Sequence, residues 1–204
     1  MADVVLPDNE RDALIAMVVR GMARGEASTE QQSLAEQGLI LVKGPIMMPT
    51  PAGTEVVSGL LRLPDDAPQR AHIMDTFQKF LPVNRRLRDL CTAWQVRPDG
   101  SVNDHTDDGY DADIRDRLED IDSAVGPLIK RFAEDLPRVS VYRPRLTTAL
   151  EKFDDGDDSW LASPIIDSYH TVWMHLHQEL LLSIGMSRKE DEELEERLVS
   201  GDTA

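Results

Sequence analysis

The sequence predicts a mostly α protein in which a front segment with a small β hairpin precedes an α-helical bundle. Three observations carry this. Across most of the 204 residues the apolar positions recur every three or four residues, not in the alternation of strands. Strand-like apolar runs occur around Lys43-Gly44-Pro45. Hydrophobic residues make up 41% of the chain, enough for a core, and a short polar linker over 63–68 separates a module over 1–62 from a bundle domain over 69–204.

Residues 1–7 read as a tail. From Asn9, the residues Leu14, Met17, Val18 and Met22 keep helical spacing, so a first helix is expected to about Gly25. Ser28 opens a second, with Gln31 placed for a capping box and Gly38 as its stop. The runs 39–42 and 46–48 then form the hairpin, or wing. Thr50 is placed as an N-cap and Pro51 at the first helical position of a third helix reaching about Arg62.

Beyond the linker, Ile73, Phe77, Phe80, Leu81, Leu87, Cys91 and Trp94 make one stripe that also holds Asn84, and Pro82 is expected to kink or break it. A loop is expected over 98–109. Ile114, Leu118, Ile121, Val125, Leu128, Phe132 and Leu136 form a bundle seam, with an interruption expected at Gly126-Pro127. A helix over 139–153 is interrupted or started near Pro144, and an acidic loop follows over 154–158. A long helix from Asp167 to its stop at Gly185 places His170, Trp173 and His177 on one apolar face, with His175 about 140° round from His170. Polar groups on such a face are held by partners or do a job. A charged helix over 188–199 closes the chain, and its last residues are expected to fray.

The net charge of −16 repels nucleic-acid phosphates and anionic lipid, and suits a solvated acidic surface, basic partners or cations. Cys91 is the single cysteine, which excludes an intrachain disulfide and fits a reducing compartment. No secretory leader and no apolar run near the ~20 residues of a membrane span is read, so a cytoplasmic protein without membrane contact is expected.

The element order in 1–62 resembles a winged helix of the MarR-like kind, which implies a duplex-binding fold. One departure weighs against that use. Only 26–37 lies between the first helix and Gly38-Leu39-Ile40, room for about one helix where the family has two. That helix carries no Lys or Arg, and across 1–62 five basic side chains stand against eight acidic ones. DNA is therefore not an expected partner.

Other chemistries are thinly supported. Asp104, Asp108 and Gly109 suit three positions of a calcium loop, but Arg115 stands where a bidentate Glu is required. Asp167, His170 and His177, with His105 beside Asp104 if the fold brings it near, could serve a ligand, a metal or a phosphoryl group, but the spacing lacks adjacent-turn imidazoles. Cys91 and the three tryptophans read as core. No phosphate loop, dinucleotide fingerprint or nucleophile elbow is present in the sequence.

A second resemblance covers about 77–190. Phe80-Leu81 with Asn84, Trp94-Gln95, Asn103-Asp104-His105, Tyr110-Asp111, Tyr142-Arg143 with Arg145-Leu146, the run from Asp167 to Trp173, and Leu176-His177 with Glu179-Leu180-Leu181, Gly185 and Arg188 carry it. These resemble a helical module associated with actinobacterial PEP-utilising, pyruvate phosphate dikinase-like phosphotransferases. The resemblance implies a non-catalytic accessory or regulatory subunit that binds a larger phosphotransferase-type protein, with no cofactor or metal of its own and no assigned catalytic residue. The candidate ligand-binding set is Asp104, His105, Tyr142, Arg143, Arg145, Asp167, His170, Trp173 and His177. Two alternatives stand beside it: a winged-helix transcriptional regulator whose helical domain senses a ligand or dimerises, and a small metal- or ligand-binding enzyme using the His/Asp cluster.

Overall fold

The structure is a computed structural model that describes residues 5–200. The expectations for residues 1–4 and for the last four lie outside the described residues. The chain is mostly α with a small β wing, and it divides into two compact units.

The first unit takes the residues up to Pro64 together with Gln178–Met186. It runs α1 (Asp8–Arg20), β1 (Ala23–Arg24), α2 (Thr29–Glu36), β2 (Ile40–Lys43), β3 (Ile46–Pro49) and α3 (Pro51–Leu61). The local signals act as their chemistry dictates. Gln31 N–H donates to Ser28 Oγ at 3.3 Å and Ser28 N–H to Gln31 Oε1 at 2.9 Å, closing a capping box on α2. Gly53 N–H donates to Thr50 Oγ1 at 3.1 Å, which caps α3 behind Pro51. The first helix departs from expectation. It ends at Arg20, because Gly21 turns left-handed at φ +76°, and Ala23–Arg24 becomes a strand. The wing is thus an antiparallel three-stranded sheet in the order β1-β3-β2, pairing Ala23 with Met47 and Leu41 with Met48. A single helix of 8 residues, α2, separates β1 from β2. Leu14, Ile15, Leu34, Met47 and Val57 form the core of this unit, with Leu182 packed on it.

The second unit takes Asp65–His177 and the residues from Ser187 onward. Its elements are α4 (Arg70–Gln95), α5 (Asp108–Asp135), a 3-10 turn (Pro137–Val141), α6 (Tyr142–Asp154), α7 (Ser159–Ala162), the larger part of α8 (Tyr169–Ile184), and α9 (Arg188–Ser200). Neither helix is broken, since α4 runs through Pro82 and α5 through Gly126-Pro127. An interior proline costs about 3 kcal/mol. Leu81, Leu87, Val125 and Ile129 bury their side chains around these points, and that burial at roughly 1.5–3 kcal/mol each outweighs the loss. The α5 seam steps through Ile129, with Leu128 only half-buried and Leu136 beyond the helix end. The α8 helix starts two residues after Asp167, where Thr171 N–H donates to Ser168 Oγ at 3.3 Å. It ends on Gly185 at φ +66°, with Met186 N–H returning to the Leu181 carbonyl. Among the described residues no helix is long and apolar enough to cross a membrane.

Candidate functional site

All the candidate residues belong to the second unit, and the structure sorts them into several sets. The first is built on the shared face of α8. Trp173 is almost fully buried and donates its indole N–H to Asn84 Oδ1 at 2.9 Å. Its ring stacks on Phe80 with centroids 5.2 Å apart, and Tyr169 lies 6.1 Å away on the same helix. Asn84 therefore sits on an apolar stripe because a buried indole needs an acceptor there. His177 packs against Phe77 at 6.0 Å and Phe80 at 5.4 Å, both centroid distances. Its Nε2 comes within 3.1 Å of Asp191 Oδ2 on α9, although the alignment is too poor for a hydrogen bond.

His170 shares that face by helical spacing but is only half-buried. Burial lowers its pKa below the ordinary 6.5. The folded state then binds fewer protons than the unfolded chain between the two pKa values. Stability should fall as the pH drops from about 6.5 through the lowered value, and level off below it. His170→Gln should flatten this dependence, read as the difference in melting temperature between about pH 5 and 7.5.

The second set centres on Asp122, a buried carboxylate on α5. Arg143 grips it with both arms of the guanidinium, at 2.9 and 2.6 Å, and the Tyr169 hydroxyl donates to it at 3.0 Å. The hydrogen bond to Asp122 raises the Arg143 pKa, and burial raises that of Tyr169. Asp122→Ala should cost about 2–3 kcal/mol in urea unfolding, below the ~3–5 kcal/mol of a fully buried pair because Arg143 keeps solvent contact. Asp122→Asn, which can still accept from Tyr169, should cost less. Beside it, Arg145 donates to Asp167 Oδ2 at 3.0 Å and to His175 Nδ1 at 3.3 Å, with its guanidinium 5.4 Å from the Tyr142 ring centre. An arginine only donates, so His175 Nδ1 accepts and its proton sits on Nε2.

The third set lies in the loop between α4 and α5. Asn103, buried, donates its amide to the Trp94 carbonyl at 3.2 Å and to Asp111 Oδ1 at 2.9 Å, and accepts from Arg97 Nε at 3.2 Å. Both amide hydrogens are thereby used, so its 3.2 Å approach to His105 Nδ1 is a contact only. His105 Nδ1 then donates to Asp111 Oδ2 at 3.0 Å. The imidazole packs on Trp94 at 4.1 Å, and its backbone adopts φ +57°. Asp104 instead closes a turn on Thr106, whose hydroxyl donates at 2.8 Å and lowers the Asp104 pKa. Asp107 caps α5 through Tyr110 N–H, as an anion at a helix start should.

His105 therefore joins Asp111 and Asn103, whereas Trp173 and His177 answer to Asn84 and Asp191. Among the described residues no group of three or more His, Cys, Asp or Glu is placed to hold a metal ion. Cys91 is buried, and desolvation pushes its thiol up to about 12. Sequence reasoning overlooked Asp122 as a site residue, although a carboxylate one position past Ile121 in an apolar seam was the available signal. It also left His175 without a partner, because Arg145 reaches it only through the fold.

No family model matches the chain, and no curated protein or solved structure matches it either.

Proposed function

We propose that this chain is a non-catalytic accessory or regulatory subunit of a PEP- or pyruvate-utilising phosphotransferase-type enzyme and acts by protein–protein contact. The motive is the residue-level resemblance over 77–190. One observation supports the accessory role over an active centre. Several side chains that carry the resemblance are spent on partners within the bundle: Trp173 on Asn84, Arg145 on Asp167 and His105 on Asp111, all within the resemblance, and Arg143 on Asp122, which is not among the residues that carry it. Such pairs specify a rigid bundle. Affinity capture of the tagged full chain at native abundance, with the captured proteins identified, tests this. Recovery of a dikinase-like subunit at fixed stoichiometry is the expected result, and recovery of the chain alone would overturn it.

A second reading, a ligand-binding protein, is favoured by His105, whose Nε2 has no partner among the described residues. The transcriptional-regulator reading has less behind it, since α2 (TEQQSLAE) carries no cation to meet a phosphate.

A further inference from the structure

The outer face of the three-stranded sheet in the first unit sets an apolar row beside a row that ends in two cations. Antiparallel register places cross-strand partners on the same face. Ile40 and Met47 point into the core at 2% exposure each, so their strand neighbours Leu41 and Met48, paired with each other, point outward at 50% and 38%. One step beyond the β1 ladder the same register sets Met22 opposite Met48, and Met22 is 43% exposed. These three form an apolar row across the sheet. The next row on this face is Lys43, Ile46 and Arg24, again in register, with the two cations at its ends and both exposed. Strand spacing sets those cations roughly 10 Å apart. Among the described residues neither is paired with a carboxylate.

Acidic residues outnumber basic ones 38 to 22 in the chain, yet these two rows contain none. We infer that this face binds an amphipathic segment of a protein partner, with apolar side chains laid over Met22, Met48 and Leu41 and carboxylates set against Arg24 and Lys43. Methionine side chains are flexible and polarisable, and suit a surface that moulds to apolar helical anchors. Two cations on a chain of net charge −16 are a poor match for a duplex or an anionic membrane, and the apolar row gains nothing from a phosphate backbone. The inference rests on the accessory-subunit reading only in naming the face such a subunit would use.

The test uses the full chain labelled with 13C at its methionine methyls. The probes are a synthetic amphipathic peptide with leucines at i, i+3, i+4 and i+7 flanked by glutamates, and its lysine-flanked counterpart. The glutamate peptide should shift the Met22 and Met48 methyl signals while those of the buried Met17 and Met47 stay put. Leu41→Ser should weaken its binding roughly tenfold, and Arg24→Glu with Lys43→Glu should transfer the preference to the lysine peptide. These positions are exposed, so the fold survives the changes, which circular dichroism checks. No shift at Met22 and Met48, an equal response to both peptides, or a response only to duplex DNA or anionic vesicles would overturn the inference. Peptide binding alongside a failed capture of a phosphotransferase removes the proposed function and leaves this face standing. Capture that survives Leu41→Ser and the double charge reversal removes the face and leaves the function.

Discussion

Trp173→Ala should destabilise the helical unit by about 3–5 kcal/mol, the range for an aromatic truncated in a packed core. The loss has two parts that can be separated. The indole ring covers Phe80 with centroids 5.2 Å apart, and its N–H satisfies Asn84 Oδ1 at 2.9 Å. Trp173→Phe keeps one six-membered ring and removes the donor with the pyrrole edge, so it should cost about 1–3 kcal/mol for the orphaned buried acceptor, plus a smaller share of lost packing. Adding Asn84→Leu to Trp173→Phe should recover part of that loss, because an apolar pair of similar shape leaves nothing unsatisfied. Urea unfolding of the single and double variants measures each part. If Trp173→Phe is neutral, the Asn84 hydrogen bond does not hold α8 against α4.

Gly53→Ala should be the most damaging single methyl addition in the first unit. In an ordinary helix interior that change stabilises by up to about 1 kcal/mol. Here a Cβ at position 53 would stand 2.0 Å from the Leu39 carbonyl oxygen and 3.0 Å from its carbon. Both are backbone atoms that cannot rotate away, and Leu39 also accepts the Thr50 N–H that starts α3. The helix must move off the sheet, at a cost above the roughly 1–3 kcal/mol of ordinary overpacking. Gly59→Ala on the same helix is the control. Nothing lies within 4 Å of its added Cβ, so it should stabilise by about 0.5–1 kcal/mol. Hydrogen exchange of the Leu14 and Val57 amides reports the outcome, and equal effects from the two substitutions would refute the close approach.

The pair of glycines shows why some of the structure was legible in sequence and some was not. Gly53 carries no signal of its close approach beside the Thr50-Pro51 helix start, because spacing along the chain holds no information about a carbonyl fourteen residues back. Gly38 and Gly185 were legible as helix stops, since a left-handed φ is a local requirement that glycine meets most cheaply. The same divide runs through the candidate residues. The α4 stripe from Ile73 to Trp94 was readable from its period, and every member is buried. The acceptor for the Trp173 indole was half readable: Asn84 stood out as polar on that stripe, but its partner 89 residues away did not. Asp122, which Arg143 and Tyr169 share, has partners on two later helices and was passed over within its seam.

What the chain determined alone was local: the capping box at Ser28, the Thr50-Pro51 helix start, the hairpin turn at Gly44, and the apolar periods of α4, α5 and α8. Each depends on residues within a few positions, where backbone sterics and helical pitch allow few answers. Tertiary structure alone decided whether Pro82 and Pro127 broke their helices, that Ala23–Arg24 became a third strand, and which carboxylate each arginine and histidine found. Those outcomes depend on how much surface two distant segments bury against each other. That energy is set only when the segments meet, and it is large enough to override a local preference of a few kcal/mol.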